Sequence, residues 1–185
     1  MGSNEIENIL ENGYTFTNIK TNHTLTVEFA INTYTIYVSV TNGTTDPNGN
    51  KIVTYGEDIS VTYYPDIGYE LSSLVVDGID IFNPDNNDTR YDFKDVSDDH
   101  RITVVFTKQK FLITANTTGD GTITPSSYVE YGEQQQFDFY PDTGYEIKNV
   151  LIDGVSIGAV EFYLFENVTQ MHTITVEYQI KKFNI

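Results

Sequence analysis

Three histidines are the first candidates for chemistry in this sequence, because a neutral imidazole can bind a metal ion or carry a proton. His23, His100 and His172 lie far apart along the chain, and each opens a run of alternating apolar and polar residues. A single residue that recurs at one position of a repeating pattern is more typical of a packing or turn position than of a ligand set. We therefore predict a structural role for the three histidines.

A calcium loop is the second candidate, in the segment DPNGNKIVTYGE. Asp46, Asn48, Asn50 and Glu57 supply oxygen ligands at positions 1, 3, 5 and 12 of the calcium-loop template. Position 6, however, is Lys51, where the sharp turn of such a loop needs glycine. Because the sequence also lacks a nucleophile in a recognisable setting and a phosphate-binding loop, we predict no catalytic residue, no metal site and no cofactor.

Aromatic rings and an acidic loop are the remaining candidates for recognition. Tyr64 and Tyr140 lie on the strand face opposite to the buried one, so we expect them to be exposed. Exposed tyrosines can bind sugars or mark a protein interface, although they also pack against cross-strand neighbours. Asp85 and Asp88 lie in the acidic loop 81–90. These four residues are the predicted ligand or interface surface, with a solvated face and loop as the alternative.

The charge of the chain limits its partners. The formal net charge is −17 at pH 7 and the pI is about 4.2. A field of that sign repels phosphate backbones and anionic lipid, which argues against nucleic acid and membrane surfaces as partners. Cysteine is absent, so disulfides and thiol chemistry are excluded, while either redox compartment remains open.

The sequence contains internal repeats, which decide how its elements are organised. YPDIGYE at 64–70 returns as YPDTGYE at 140–146, and LVVDG at 74–78 returns as VLIDG at 150–154. The block around each histidine occurs three times, at residues 14–29, 91–106 and 163–178. The chain therefore contains two complete units and part of a third.

Each unit is predicted to consist of β-strands and tight turns. Val61 and Tyr63 alternate with polar residues, which indicates a strand with one buried face. In YPDxGYE, proline fixes the first corner of a turn and glycine takes a positive φ, while Asp-Gly after the next strand indicates a hairpin. The predicted structural turn residues are Pro65, Gly68, Gly78, Pro141, Gly144 and Gly154.

These patterns predict an all-β protein of tandem small modules. The predicted domains are a partial repeat at 1–32, modules at 33–108 and 109–180, and the start of a further repeat or tail at 181–185. The segment 3–12 is the one helix candidate. The polar segment 107–110 predicts a small interface between modules that moves as a joint.

The second unit resembles the divergent internalin-type B-repeat modules of bacterial surface proteins. The resemblance rests on motifs spread through the unit, with FENVTQMHTITV at its end: Gly121–Pro125, Tyr131-Gly132, Pro141-Asp142-Thr143-Gly144-Tyr145, Ile152-Asp153-Gly154 and Phe165–Val176. The first unit departs from the pattern with GTTDP in place of the Gly-Thr-Ile-x-Pro segment. The resemblance implies a small β-grasp-like or sandwich-like fold for each module. It also implies strings of modules that extend a protein from the cell envelope, often in adhesins, with no catalytic residues to carry over.

The sequence therefore predicts a non-enzymatic, extracellular stalk or spacer segment of a bacterial surface or adhesin-like protein, attached to the cell through a region outside this chain. Two alternatives remain open. One is a module that binds a glycan or a host protein. The other is a structural subunit of a filament or phage appendage, which would self-associate through incomplete terminal repeats.

Overall fold

The computed structural model describes residues 13–85 and 88–182, and every regular element within these ranges is a β-strand. The chain divides into two compact units, Met1–Ile31 and Asn32–Ile185, and all the strands belong to the second. The helix predicted at 3–12 lies outside the described residues. The all-β fold class is confirmed.

Module 1 is a sandwich of a five-stranded and a three-stranded sheet. The larger sheet has the order β3-β1-β8-β5-β6 and the smaller one the order β2-β4-β7. β1 and β8 are parallel, and the other pairs are antiparallel. The strands are β1 (Thr33–Thr41), β2 (Gly43–Asp46), β3 (Lys51–Thr54), β4 (Ile59–Pro65), β5 (Tyr69–Val76), β6 (Ile79–Asp80), β7 (Arg90–Phe93) and β8 (His100–Lys108).

Module 2 repeats this topology strand by strand. Its sheets have the orders β11-β9-β16-β13-β14 and β10-β12-β15, and β9 and β16 form the parallel pair. The strands are β9 (Lys110–Thr118), β10 (Gly121–Ile123), β11 (Ser127–Glu130), β12 (Gln135–Pro141), β13 (Tyr145–Ile152), β14 (Val155–Gly158), β15 (Phe162–Phe165) and β16 (His172–Ile180).

Each module encloses its own hydrophobic core between its two sheets, because strand residues of period 2 place every second side chain inward. The two cores contain equivalent residues at equivalent strand positions. The core of module 1 comprises Ile36, Val53, Val61, Tyr63, Leu74, Val76, Phe93, Val96, Ile102, Val104 and Phe106. The core of module 2 comprises Ile113, Val129, Phe137, Phe139, Val150, Phe165, Val168, Ile174, Val176 and Tyr178.

Residues 13–31 keep some features of the repeat without its strands. The rings of Tyr14 and Phe16 meet edge-on at 4.9 Å, as the rings of Tyr91 and Phe93 do in module 1. Phe29, however, is 81% exposed, whereas the equivalent phenylalanine at the end of β8 is buried. A strand sequence without its facing sheet does not build a core.

Candidate functional site: the junction between the modules

The histidines of the two modules tie a hairpin to the strand that they open. Nδ1 of His100 lies 2.7 Å from Oδ2 of Asp77, and Oδ1 of that aspartate accepts the backbone N–H of Arg101. His172 and Asp153 repeat the contact at 2.7 Å. Each ring also packs on the phenylalanine that ends the preceding short strand, with 5.0 Å between ring centroids. The contacts are those of a structural tether.

Two opposing effects set the pKa of these aspartates. Burial favours the protonated carboxyl and so raises the pKa of Asp77 and Asp153. The backbone N–H of Arg101 or Thr173, followed by the histidine, stabilises the carboxylate and lowers it. The hydrogen bonds and the histidine together outweigh the effect of burial, so the pKa of each aspartate lies below its ordinary value. The aspartate of each tether is therefore held in its charged form.

Two of the four residues of the calcium-loop template, Asn50 and Glu57, form hydrogen bonds within module 1. Asn50 accepts the backbone N–H of Val38 through its side-chain oxygen. Glu57 accepts both the N–H and the hydroxyl of Thr54, and these hydrogen bonds lower the pKa of its carboxyl. Among the residues that the structure describes, we find no group of three or more His, Asp or Glu side chains arranged to hold a metal ion.

The predicted recognition surface is divided between the modules. Tyr64 and Tyr140 are 51% and 56% exposed, on the equivalent strands β4 and β12. Asp85 and Asp88 are exposed in the loop between β6 and β7, which is longer than the corresponding loop between β14 and β15 of module 2. The structure does not bring the four residues together into one site.

A cleft of about 640 Å³ lies beside that loop in module 1, lined in part by Tyr63, Leu71, Phe82 and Asp88. The hydroxyl of Tyr63 is buried and has no hydrogen-bond partner among the described residues. Burial, together with the nearby charge of Asp88, raises its pKa. The lining of the cleft combines apolar residues with polar and acidic ones such as Glu70 and Asp88.

The repeated turns have the backbone conformation that their sequence requires. φ is +81° at Gly68 and +88° at Gly144, in the turns that follow Pro65 and Pro141. The hairpin glycines Gly78 and Gly154 both have φ of +81°. A residue with a Cβ is strained in this region, so glycine is favoured at these positions.

The glycine turn of module 1 packs against a tyrosine of module 2. A Cβ placed on Gly68 would collide with the ring of Tyr131, so the ring lies directly on the glycine. Gln109, the single residue between β8 and β9, donates its N–H to the carbonyl of Gly68 at 2.9 Å and accepts the N–H of Tyr131 at 2.9 Å. Lys108 and Glu133 form an ion pair across the same contact at 2.9 Å. We call this arrangement the junction.

The junction was not predicted from the sequence, although the motifs that form it recur there. Tyr55-Gly56-Glu57 and Tyr131-Gly132-Glu133 recur in the two units together with the glycine turns. Two motifs that recur together indicate a shared structural role. They do not indicate that the turn of one unit contacts the tyrosine of the next, because that contact crosses from one module to another.

Comparison with known families identifies the repeat. A family model described as a divergent InlB B-repeat domain matches twice, over residues 33–110 and 111–178. The two matches coincide with the two sandwiches. Comparisons with curated proteins and with solved structures gave no match.

Proposed function

Because this chain belongs to the divergent InlB B-repeat family, which indicates a repeat domain of a bacterial surface protein, we propose that it acts as a non-enzymatic stalk or spacer. The observation that carries the proposal is the junction between Gly68 and Tyr131. A spacer has to hold successive modules in a defined relation, and here one module's turn is covered by the next module's ring.

The linker supports a coupled spacer rather than a jointed one. Only Gln109 separates β8 from β9, and both its N–H and its carbonyl are bonded to the modules on either side. A linker residue with both backbone groups satisfied has little torsional freedom left. The polar segment 107–110 is therefore only part of the interface, and the two modules are expected to move together.

The proposed location is the outside of a bacterial cell, with attachment through a region outside this chain. Family membership supports a surface protein. Within the described ranges, no helical segment has the length and hydropathy of a membrane span. The family is a repeat family that is generally non-catalytic, which supports a mechanical role.

The test is a distance measurement between the modules. The chain has no cysteine, so Asp98→Cys and Gln170→Cys place one spin label at equivalent exposed loop positions of each module. We expect one narrow distance distribution, and Tyr131→Ala should broaden it. Tyr128→Ala is the matched control, because Tyr128 is 70% exposed in the same module and lies outside the junction. A broad distribution in the parent protein would contradict a coupled spacer.

A binding role is the second candidate, favoured by the exposure of Tyr64 and Tyr140 at equivalent positions. Rings repeated along an array would contact an extended partner, such as a glycan or a host protein, at more than one point. A glycan array with the parent protein and with the double variant Tyr64→Ala/Tyr140→Ala tests this. Equal signals from both proteins, or none, would remove the tyrosines from consideration.

A further inference from the structure

The junction has two halves, and each module carries both. One half is the glycine turn, at Gly68 and Gly144. The other is the tyrosine, at Tyr55 and Tyr131. Gly68 and Tyr131 contact each other, whereas Gly144 in module 2 and Tyr55 in module 1 have no such partner among residues 13–85 and 88–182.

The unmatched turn already has the shape of the matched one. Gly144 accepts the N–H of Lys181 at 2.9 Å, just as Gly68 accepts the N–H of Gln109. A Cβ on Gly144 would meet no heavy atom of the described chain within 4 Å, whereas the same atom on Gly68 would collide with a tyrosine ring. Among the described residues, none therefore fills the space above Gly144 that the ring occupies at the junction.

The unmatched tyrosine is also held as its counterpart is. The N–H of Tyr55 bonds the carbonyl of Asn32 at 2.9 Å, as the N–H of Tyr131 bonds Gln109. The ring centroid of Tyr55 lies 6.4 Å from that of Tyr34, and Tyr131 and the equivalent phenylalanine are also separated by 6.4 Å. Tyr55 is 58% exposed, while Tyr131 is half-buried under the turn of module 1.

We propose that copies of this chain associate head to tail, with Tyr55 of one copy on the Gly144 turn of another. The occupant is a second copy because the contact continues one that the chain already makes within itself. Such a contact joins two different surfaces, so it generates open chains where the rotation between copies does not close them into a ring. This goes beyond the spacer role, which stands if the chain remains a monomer.

The affinity expected for the contact between copies can be judged from the linker within the chain. Within the chain, a one-residue connection gives the two halves an effective concentration of about 1 mM or more, so the contact needs little intrinsic affinity. Between copies the same contact should therefore become visible only as the protein concentration approaches about 1 mM.

Salt should strengthen the association. The ion pair of Lys108 with Glu133 has no equivalent between copies, because Ile180 replaces the lysine and Glu57 is bonded to Thr54. Ile180 is 66% exposed, so the contact between copies is more apolar than the junction. Two copies of net charge −17 also repel each other, and salt screens that repulsion.

Crosslinking between two cysteine variants tests the proposal. Thr33→Cys is next to the tyrosine half, where β1 pairs with the strand before Tyr55, and Thr143→Cys adjoins Gly144. The two variants are mixed at about 1 mM, the effective-concentration scale of a short linker, in high salt with a short bismaleimide. The mixture of Thr33→Cys with Asp98→Cys, an exposed position in neither half, is the background.

We expect a several-fold excess of the Thr33–Thr143 heterodimer over that background. Adding Tyr55→Ala to the first variant should remove the excess, and adding Tyr128→Ala should not. Gly144→Ala should also remove it, since a Cβ would occupy the place of the ring. Sedimentation of the parent chain should show a mass that rises with concentration and with salt. A monomer throughout, or crosslinking no greater than background, would overturn the proposal.

Discussion

Module 1 and module 2 have the same strand order and nearly the same turn sequence, yet their turns have different surroundings. The turn of module 1 is covered by Tyr131, while no described residue lies against the corresponding position of Gly144 in module 2. The backbone hardly differs, with φ of +81° and +88°. Local sequence therefore fixes the conformation of a turn, whereas its neighbour in the array fixes what a substitution there costs.

The largest expected effect comes from Gly68→Ala. Strain at positive φ costs about 1 kcal/mol or more, and the collision with the Tyr131 ring adds an overpacking cost of about 1–3 kcal/mol. Gly144→Ala is the matched control, which has the strain and lacks the collision. Urea unfolding should therefore show a larger loss for Gly68→Ala.

Hydrogen exchange distinguishes where that loss occurs. Gly68→Ala should increase exchange on both sides of Gln109, because the collision separates the modules, while Gly144→Ala should affect residues 110–178 alone. Equal losses for the two variants, each confined to its own module, would show that the junction does not couple them.

A second comparison concerns a pair of core aromatic positions at which the tyrosine and the phenylalanine are exchanged between the modules. Module 1 has Tyr63 and Phe106 where module 2 has Phe139 and Tyr178. The hydroxyl of Tyr178 donates to the carbonyl of Thr122. The hydroxyl of Tyr63 is buried without a partner among the described residues. The buried tyrosine hydroxyl therefore has a hydrogen-bond partner in module 2 and none among the described residues in module 1.

Removing the two hydroxyls should have different effects on the free energy of unfolding. Tyr178→Phe leaves the Thr122 carbonyl without its partner and should destabilise the protein by about 1 kcal/mol. Tyr63→Phe removes a buried unsatisfied group and should leave the stability unchanged or raise it by about 1 kcal/mol. Urea unfolding of both variants measures this. A clear loss of stability in Tyr63→Phe would mean that its hydroxyl has a bonded water or other partner in solution.

Much of each module could be predicted from sequence because its signals are local. The period-2 pattern placed Val61 and Tyr63 in a core, and both are buried. The junction could not be predicted, because no local pattern links Gly68 to Tyr131. Phe29 also shows that a local pattern does not determine burial, since it matches a core position by sequence and is 81% exposed.

Acid should weaken the two tethers in the same way. Asp77 and Asp153 have lowered pKa values, so their contribution to stability is present above the ordinary aspartate pKa of 3.8 and is lost as the pH falls through the lower folded values. Urea midpoints at pH 7, 4 and 3 should fall, and Asp77→Asn/Asp153→Asn should flatten that dependence. Asp98→Asn is the control, because it also removes one negative charge but at an exposed position outside both tethers. Its urea midpoints should fall with pH as those of the parent protein do. An unchanged slope in the double variant would assign the acid response to other carboxylates.

The smallest expected effect is that of chelation, which should leave both modules unchanged. Asn50 and Glu57 of the calcium-loop template are hydrogen-bonded to the backbone of β1 and of β3. A metal ion would have to displace those contacts, and position 6 is a lysine whose charge opposes a cation. Thermal unfolding with EDTA and with added calcium should therefore give superimposable curves. A shift of several degrees would contradict this and would point first to Asp46, Glu57, Asp85 and Asp88. All four belong to module 1, Asp46 at the end of β2 and the other three between strands, so such a shift would originate in module 1.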